Sequence, residues 1–331
     1  MFKKLFIMFI SGILALISFE LFLKYSPFEY GVSPIVYDKT IGVWHKKNFQ
    51  DTWIKECYRT PYYFDENGFI KSQTKYDKDK KDVVILGDSF IEALMVKNEN
   101  ILHNALSSEF SNKYNFINLG LSDSSPTQQF VILKDKANLK NTKYVIQFIN
   151  LENDLLDVDN ANANSMGRPR VYLEFNNNID NFKIIPPREQ TMYDKIADIL
   201  GEYQMYVYIK KLMYYLKSKV TGDVPIKTSV DENSNLDLTK NWLYLNGALH
   251  QINKTLKEKN IKYKIIIITE SKKYKKKVEE FLTEKKIDFI FLNDEVKKRN
   301  IELKTFKCDG HWDDETHRNI ARVIKNLGLV E

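Results

Sequence analysis

The sequence predicts an α/β fold, a parallel sheet covered by helices, on three observations. Strand-like apolar runs and helix-like periodic stretches alternate three times between residues 83 and 150. The three strands run into polar turns, at Gly87-Asp88-Ser89, at Asn118-Leu119-Gly120 and at Leu151-Glu152-Asn153-Asp154. Open α/β sheets build their sites at such carboxyl ends. A run of nearly pure isoleucine, 264–269, supplies a further buried strand late in the chain.

Taken in order, the chain begins with Met1-Phe2-Lys3-Lys4 and then an apolar segment, Leu5 to Leu23, broken only by Ser11, Ser18 and Glu20. That length suits a short membrane span, and the positive flank favours an N-in orientation. No clear small-x-small cleavage site follows, so residues 1–24 read as an uncleaved anchor, with a signal peptide as the competing reading. The protein is expected to be single-pass in a bacterial-type inner or cytoplasmic membrane, with its body in the periplasm or outside the cell. Residues 25–80 form a membrane-proximal segment, punctuated by Pro27, Gly31 and Pro34. Its aromatics, among them Trp44, Trp53, Tyr62, Tyr63 and Phe64, make it too apolar for a free linker, so it is expected to pack on the main domain. Asp65-Glu66-Asn67-Gly68 is a turn signal.

The main domain, 81–331, opens with Val83-Val84-Ile85-Leu86 as a buried strand, then a tight turn and a helix. Helix over 100–110, strand over 115–120, helix over 127–136 and strand over 144–149 follow. Residues 158–235 break the rhythm with an Asn-rich stretch, Met166-Gly167-Arg168-Pro169-Arg170, Pro186-Pro187 and a Tyr- and Lys-rich helical segment, 193–218. This reads as an insertion or lid whose helix packs its apolar face on the core; a membrane surface is the alternative place for it. A helix over 238–259 with Thr239 as N-cap, the isoleucine strand, a helix over 272–286, a strand over 287–292 and a closing helix, 313–326, complete the domain.

Composition bounds the function. The chain has 331 residues, 43% hydrophobic and 13% aromatic, with 12 glycines and 8 prolines. This is a folded composition able to bury a full core. The net charge of +6 comes with lysines spread along the chain, and the run Lys272 to Lys277 falls on a helix surface. Zinc-finger spacing and phosphate-cradling Gly-rich loops do not occur, so no nucleic-acid partner is expected. With only Cys57 and Cys308, one disulfide is available in an oxidising compartment, where it would pin a site loop; two separate thiols are the alternative.

Ser89 sits where a helix begins after a strand, so its hydroxyl lies near backbone N–H groups able to stabilise negative charge. It is either an N-cap or a nucleophile. A serine nucleophile needs a base, and histidine with an acid behind it is the natural one. Of the five histidines, His103 and His250 fall within helices and read as structural. His45 lies in the membrane-proximal segment with no adjacent acid. His311, in a loop beside Asp309, is preferred over His317, which shares a helix turn with Asp314.

Strand-Gly-Asp-Ser, Asn-Leu-Gly with a small polar loop, Asn-Asp after the third strand and a late Asp-Gly-His-Trp occur in one order across residues 83–324. Together they resemble the SGNH (GDSL-like) hydrolases, closest to envelope-associated polysaccharide acetylesterases and O-acetyltransferases. The resemblance implies a three-layer α/β/α, flavodoxin-like fold with a parallel central sheet. It implies Ser89 as nucleophile, His311 as general base and Asp309 as orienting acid. The Ser89 backbone N–H, the Asp123 backbone N–H and the Asn153 side chain would form the oxyanion hole, supported by Asp88, Gly120, Asp154 and Trp312. Two departures stand out. Asp123 occupies the place of the family's second-block glycine, where a carboxylate is unfavourable unless it points away, and Leu151 replaces the glycine of Gly-x-Asn-Asp.

The function this implies is removal of small acyl groups, acetyl above all, from an envelope polysaccharide or acylated lipid through an acyl-serine. An O-acyltransferase with the same triad is the alternative, and it would need a membrane-bound acyl-donor partner. A non-catalytic envelope protein that kept the fold is a further alternative. No cofactor and no metal are implied.

Overall fold

The computed structural model describes residues 2–26, 31–158, 169–221 and 236–331. Pro27, the Asn-rich stretch and Met166-Gly167-Arg168 lie outside the described residues.

The first helix, α1 (Phe2–Tyr25), is long and apolar enough to cross a membrane, by length and composition. Two antiparallel hairpins follow: β1 (Ile35–Asp38) with β2 (Gly42–His45), and β3 (Gln50–Lys55) with β4 (Tyr58–Tyr63). The centre of the molecule is a sheet of five parallel strands, β5 (Asp82–Leu86), β6 (Asn115–Asn118), β7 (Thr142–Asn150), β10 (Lys262–Ile268) and β11 (Asp288–Phe291). Their order across the sheet is β6-β5-β7-β10-β11. The chain therefore starts next to one edge, steps out to it, then reverses and fills the other side, which is the flavodoxin-like winding. Such strands are apolar on both faces, as Val83-Val84-Ile85-Leu86 is.

Alternation along the strands feeds two cores. Val84, Leu86, Val145, Ile149, Ile265 and Ile267 point to one face. There they meet helices α4 (Pro126–Lys136), α8 (Thr239–Glu258) and α9 (Lys272–Glu284). Val83, Ile85, Ile146, Phe148 and Ile266 point to the other, against α3 (Leu102–Glu109), α10 (Leu292–Lys298) and α11 (Asp314–Asn326). The result is a three-layer α/β/α sandwich. Local chemistry starts the helices where expected. Pro126 stands in the first turn of α4, where Gln128 accepts the Ser125 N–H at 2.7 Å. The Asp313 carboxylate caps α11 by accepting the Thr316 N–H at 2.9 Å. Thr239 opens α8 instead of capping it, and its N–H donates to Asp237 at 3.0 Å.

A third apolar cluster joins the second hairpin to the stretch that follows α2 (Ser89–Glu92), residues 93–101. Tyr58, Tyr62, Phe64 and Ile70 pack with Ala93, Leu94, Met95, Val96 and Ile101, just beyond the Ser89 turn. The aromatic residues between 58 and 70 thus bury themselves against the loop that leaves the Ser89 turn.

The insertion differs from expectation. After a hairpin of β8 (Tyr172–Phe175) and β9 (Phe182–Ile185), the helical segment splits into α6 (Met192–Leu200) and α7 (Gln204–Thr221) at Gly201. The apolar face does not pack on the core. Ile196, Ile199, Ile209, Leu212, Met213 and Leu216 are all exposed. The physical reason is that the sheet faces are already covered, by α4, α8 and α9 on one side and α3, α10 and α11 on the other.

Candidate active site

The turn after β5 is built by close approach. Gly87 leaves no room for a side chain, since an added Cβ would lie 2.3 Å from Ile91 Cγ1. Gly120 is less forgiving, because a Cβ there would meet not a side chain but the backbone of α2 (Ser89–Glu92), at 2.4 Å. Asn118 secures the same approach by donating to the Ile91 carbonyl at 2.7 Å and accepting the Gly120 N–H at 2.8 Å. The first and second sequence blocks are thus one locked unit. Ser89 opens α2, and the N-cap is Asp88, whose carboxylate accepts the Phe90 N–H at 3.0 Å. The cap reading of Ser89 is therefore displaced by its neighbour, which leaves the serine hydroxyl free for other work.

Ser89 Oγ lies 2.8 Å from His311 Nε2. On the other side of the ring, Nδ1 is 3.3 Å from Asp309 Oδ1, close but not aligned as a hydrogen bond. That oxygen instead accepts the His311 backbone N–H at 3.0 Å, which folds the loop so that acid and ring share one side. The His311 ring is 23% exposed, enough to meet a substrate, whereas the Asp309 side chain is only 1% exposed. Phe90 packs on the His311 ring with centroids 5.0 Å apart and on Trp312 at 4.9 Å. Trp312 is buried in the second core and also meets Phe148 and His317. It supports the loop from beneath and does not line the site.

The acid is held from an unexpected quarter. Tyr58 donates its hydroxyl to Asp309 Oδ2 at 2.5 Å, and Lys55 Nζ reaches the same oxygen at 3.1 Å. Both belong to the β3–β4 hairpin, and Cys57 between them is disulfide-bonded to Cys308. Burial opposes ionisation of Asp309, but the Tyr58, His311 N–H and Lys55 contacts outweigh it and hold its pKa below the ordinary carboxylate value. Tyr58 in turn is pushed up to a pKa above the ordinary range by burial and by the neighbouring carboxylate, so it remains a donor. Sequence reasoning missed Tyr58 and Lys55. Their signal was the cysteine between them, once Cys57 is paired with the loop of Asp309.

The expected oxyanion residues are placed with mixed results. Asn153 stands in α5 (Leu151–Asp157), and its amide donates to Asp88 Oδ2 at 3.3 Å. One hydrogen of the amide is so engaged, and the other is the one a substrate oxygen could take. Asp123 has φ +60, the left-handed conformation that suits glycine. The chain keeps the bend without the glycine. Arg170 meets the cost of the carboxylate there: its Nη2 is 3.2 Å from Asp123 Oδ2, and its Nη1 donates to the Asp123 carbonyl. The Arg170 side chain is itself only 4% exposed. Asp154 is buried in the helix that carries Asn153. Its Oδ2 accepts the Asn150 N–H at 2.8 Å and anchors the start of α5.

Behind the turn, acidic groups crowd together. Burial raises the pKa of Asp88, and burial with the nearby Asp88 and Asp157 pushes Asp154 well above its usual value. Burial lifts Asp157 to about 7 against the opposing pull of Arg170. His45, read from sequence as lacking an acid, in fact meets Glu92 at 2.6 Å in the interior, with both side chains under 5% exposed. It stacks on Phe64 at 4.3 Å and sits beside the site as a structural pair. His103 is buried and its pKa is lowered to about 4 by burial; His317 is likewise lowered, to about 3. Among the described residues, no three His, Cys, Asp or Glu side chains are arranged to hold a metal ion.

No family model and no curated protein matches the sequence. Among solved structures, the chain is similar to one described as a lipolytic protein of the G-D-S-L family from Desulfitobacterium hafniense DCB-2. The TM-score is 0.41 and the identity 11%, over 75% of this chain and 99% of that one. It is also similar to a lipase/acylhydrolase from Enterococcus faecalis, with TM-score 0.38 and 9% identity over 75% and 95% of the two chains. A third is a catalytic mutant of Axe2, an acetylxylan esterase from Geobacillus stearothermophilus, with TM-score 0.38 and 12% identity over 77% and 97%.

Proposed function

We propose that this chain is a serine esterase of the SGNH type that removes small acyl groups, acetyl above all, from a polysaccharide or lipid of the cell envelope. The observation that carries this reading is the 2.8 Å contact between Ser89 Oγ and His311 Nε2, with the Asp309 carboxylate behind the ring. A hydroxyl in that contact can pass its proton to Nε2 while its oxygen attacks an ester carbonyl. Charge then develops on the carbonyl oxygen, where the Ser89 N–H at the head of α2 and the second hydrogen of the Asn153 amide stabilise it. As the tetrahedral species collapses, His311 returns the proton to the leaving alcohol. A water, deprotonated by His311, then attacks the acyl-serine and releases the acid. Pairing of Asp123 with Arg170 removes the objection that a free carboxylate would oppose the oxyanion.

The test uses the detergent-solubilised chain and p-nitrophenyl acetate, with Ser89→Ala and His311→Ala as controls. Each substitution is expected to lower turnover by at least about 10³-fold, with unchanged circular dichroism. Mass spectrometry of the quenched reaction should find an acetyl group on Ser89. Acetyl transferred to an added soluble glycan in preference to water would replace the esterase with the acyltransferase. Turnover unaffected by Ser89→Ala would remove the catalytic reading of this site.

A further inference from the structure

The insertion helices leave apolar side chains uncovered in a helical stripe. On α6 Met192, Ile196 and Ile199 recur at i, i+4 and i+7, and on α7 Ile209, Leu212 and Leu216 recur at i, i+3 and i+7. All six are 48–74% exposed. Asp194 and Asp198 occupy the other side of α6 with Lys195 flanking the stripe, and Lys210 and Lys211 point away from the apolar arc of α7 at 100° per residue. Uncovered stripes of this size mark a surface that meets something else.

A second observation says what that is. Glu20, the one charged residue in the interior of the apolar segment, lies on α1 and accepts two backbone N–H groups from the start of α7. Gln204 donates to its Oε1 at 2.6 Å and Met205 to its Oε2 at 2.8 Å. A carboxylate within an apolar membrane segment needs a partner, and a helix N-terminus beside lipid needs acceptors. Each supplies the other here, and the negative charge suits the positive end of the helix. Glu20 is five residues before the end of α1 at Tyr25, about 8 Å along the axis. The contact therefore fixes the start of α7 at the membrane boundary on the side of the body.

We infer that α6 and α7 form a lipid-binding element lying in the surface of the phospholipid bilayer that α1 enters. Their apolar stripes face the acyl chains, and Lys210 and Lys211 face the headgroup phosphates, the arrangement of interfacial amphipathic helices. The body is then held at the membrane by two contacts, and its orientation is fixed as well as its distance.

The test uses the full chain in vesicles of phosphatidylcholine and phosphatidylglycerol. The four native tryptophans, at 44, 53, 242 and 312, all lie in the body and give the baseline. Leu212→Trp places a probe on the apolar stripe and Lys210→Trp one on the opposite side. Lipids brominated on the acyl chain should quench the Leu212→Trp signal at least twofold over wild type, with a blue-shifted emission, and the Lys210→Trp signal far less. Quenching of neither, or of both equally, overturns the inference. A blue shift at position 212 without quenching by brominated lipid also overturns it, in favour of a second copy covering the stripe. The unsubstituted chain gives a reading free of folding effects. In vesicles Met213 should be oxidised by aqueous peroxide nearly as slowly as Met8 of α1, and oxidation at the rate of a solvent-exposed methionine would rule out the bilayer.

Discussion

Tyr58 meets the carboxylate behind the His311 ring through a single hydroxyl, so it isolates the value of holding Asp309 in place. Tyr58→Phe removes one of three donors to a buried carboxylate, and hydrogen bonds to charged groups are worth about 1.5–3 kcal/mol. If part of that stabilises the imidazolium geometry, kcat/KM on p-nitrophenyl acetate should fall about tenfold, through kcat with KM little changed. Loss of melting temperature with an unchanged rate would reduce Tyr58 to a packing residue. The same scale shows what the sequence disclosed. That Ser89, His311 and Asp309 would lie close together was legible because strand-turn-helix chemistry and acid–histidine spacing are local patterns. Tyr58, Lys55, Arg170 and Glu92 were not, because each acts on a partner at least 47 residues away. Nothing in a linear pattern states that His45 finds its acid across such a gap.

Among the elements, the sheet and its helices were read nearly as they stand, because buried strands and amphipathic helices carry their burial in their periodicity. The insertion was read with the correct helical character and the wrong surroundings. Periodicity declares that a face is apolar, not what covers it. The β3–β4 hairpin is the element with the largest role relative to its sequence signal. Its disulfide closes a separation of 251 residues, and removing a native disulfide costs about 2–5 kcal/mol. The double variant Cys57→Ser/Cys308→Ser should lose stability in that range by urea unfolding and, on the proposed function, lose turnover of p-nitrophenyl acetate together, since Lys55 and Tyr58 are no longer held over Asp309. Reductant should give wild type the same rate loss and leave the double variant unchanged.

For the molecule as a whole, the buried carboxylates behind the Ser89 turn set a pH dependence. Asp157 titrates at about 7 when folded, against 3.8 as an ordinary carboxylate. Between those values the folded chain keeps a proton that the unfolded chain has released. Raising the pH through that window therefore favours unfolding, by up to about 1.4 kcal/mol per unit, and the effect levels off above the folded pKa. Asp157→Asn cannot ionise, so denaturant titrations at pH 5, 6, 7 and 8 should show its stability advantage over wild type growing up to about pH 7 and then holding constant. An advantage that is flat across the series would mean that Asp157 is ionised throughout.

The bond between Cys57 and Cys308 also constrains how the protein is made. The hairpin leaves the ribosome long before the loop it must join, and until then Cys57 waits as a lone thiol. With two cysteines in the chain, no wrong bond can form within one molecule. The error left open is a bond between two molecules, so crowding of nascent chains, not scrambling, is the hazard this architecture carries.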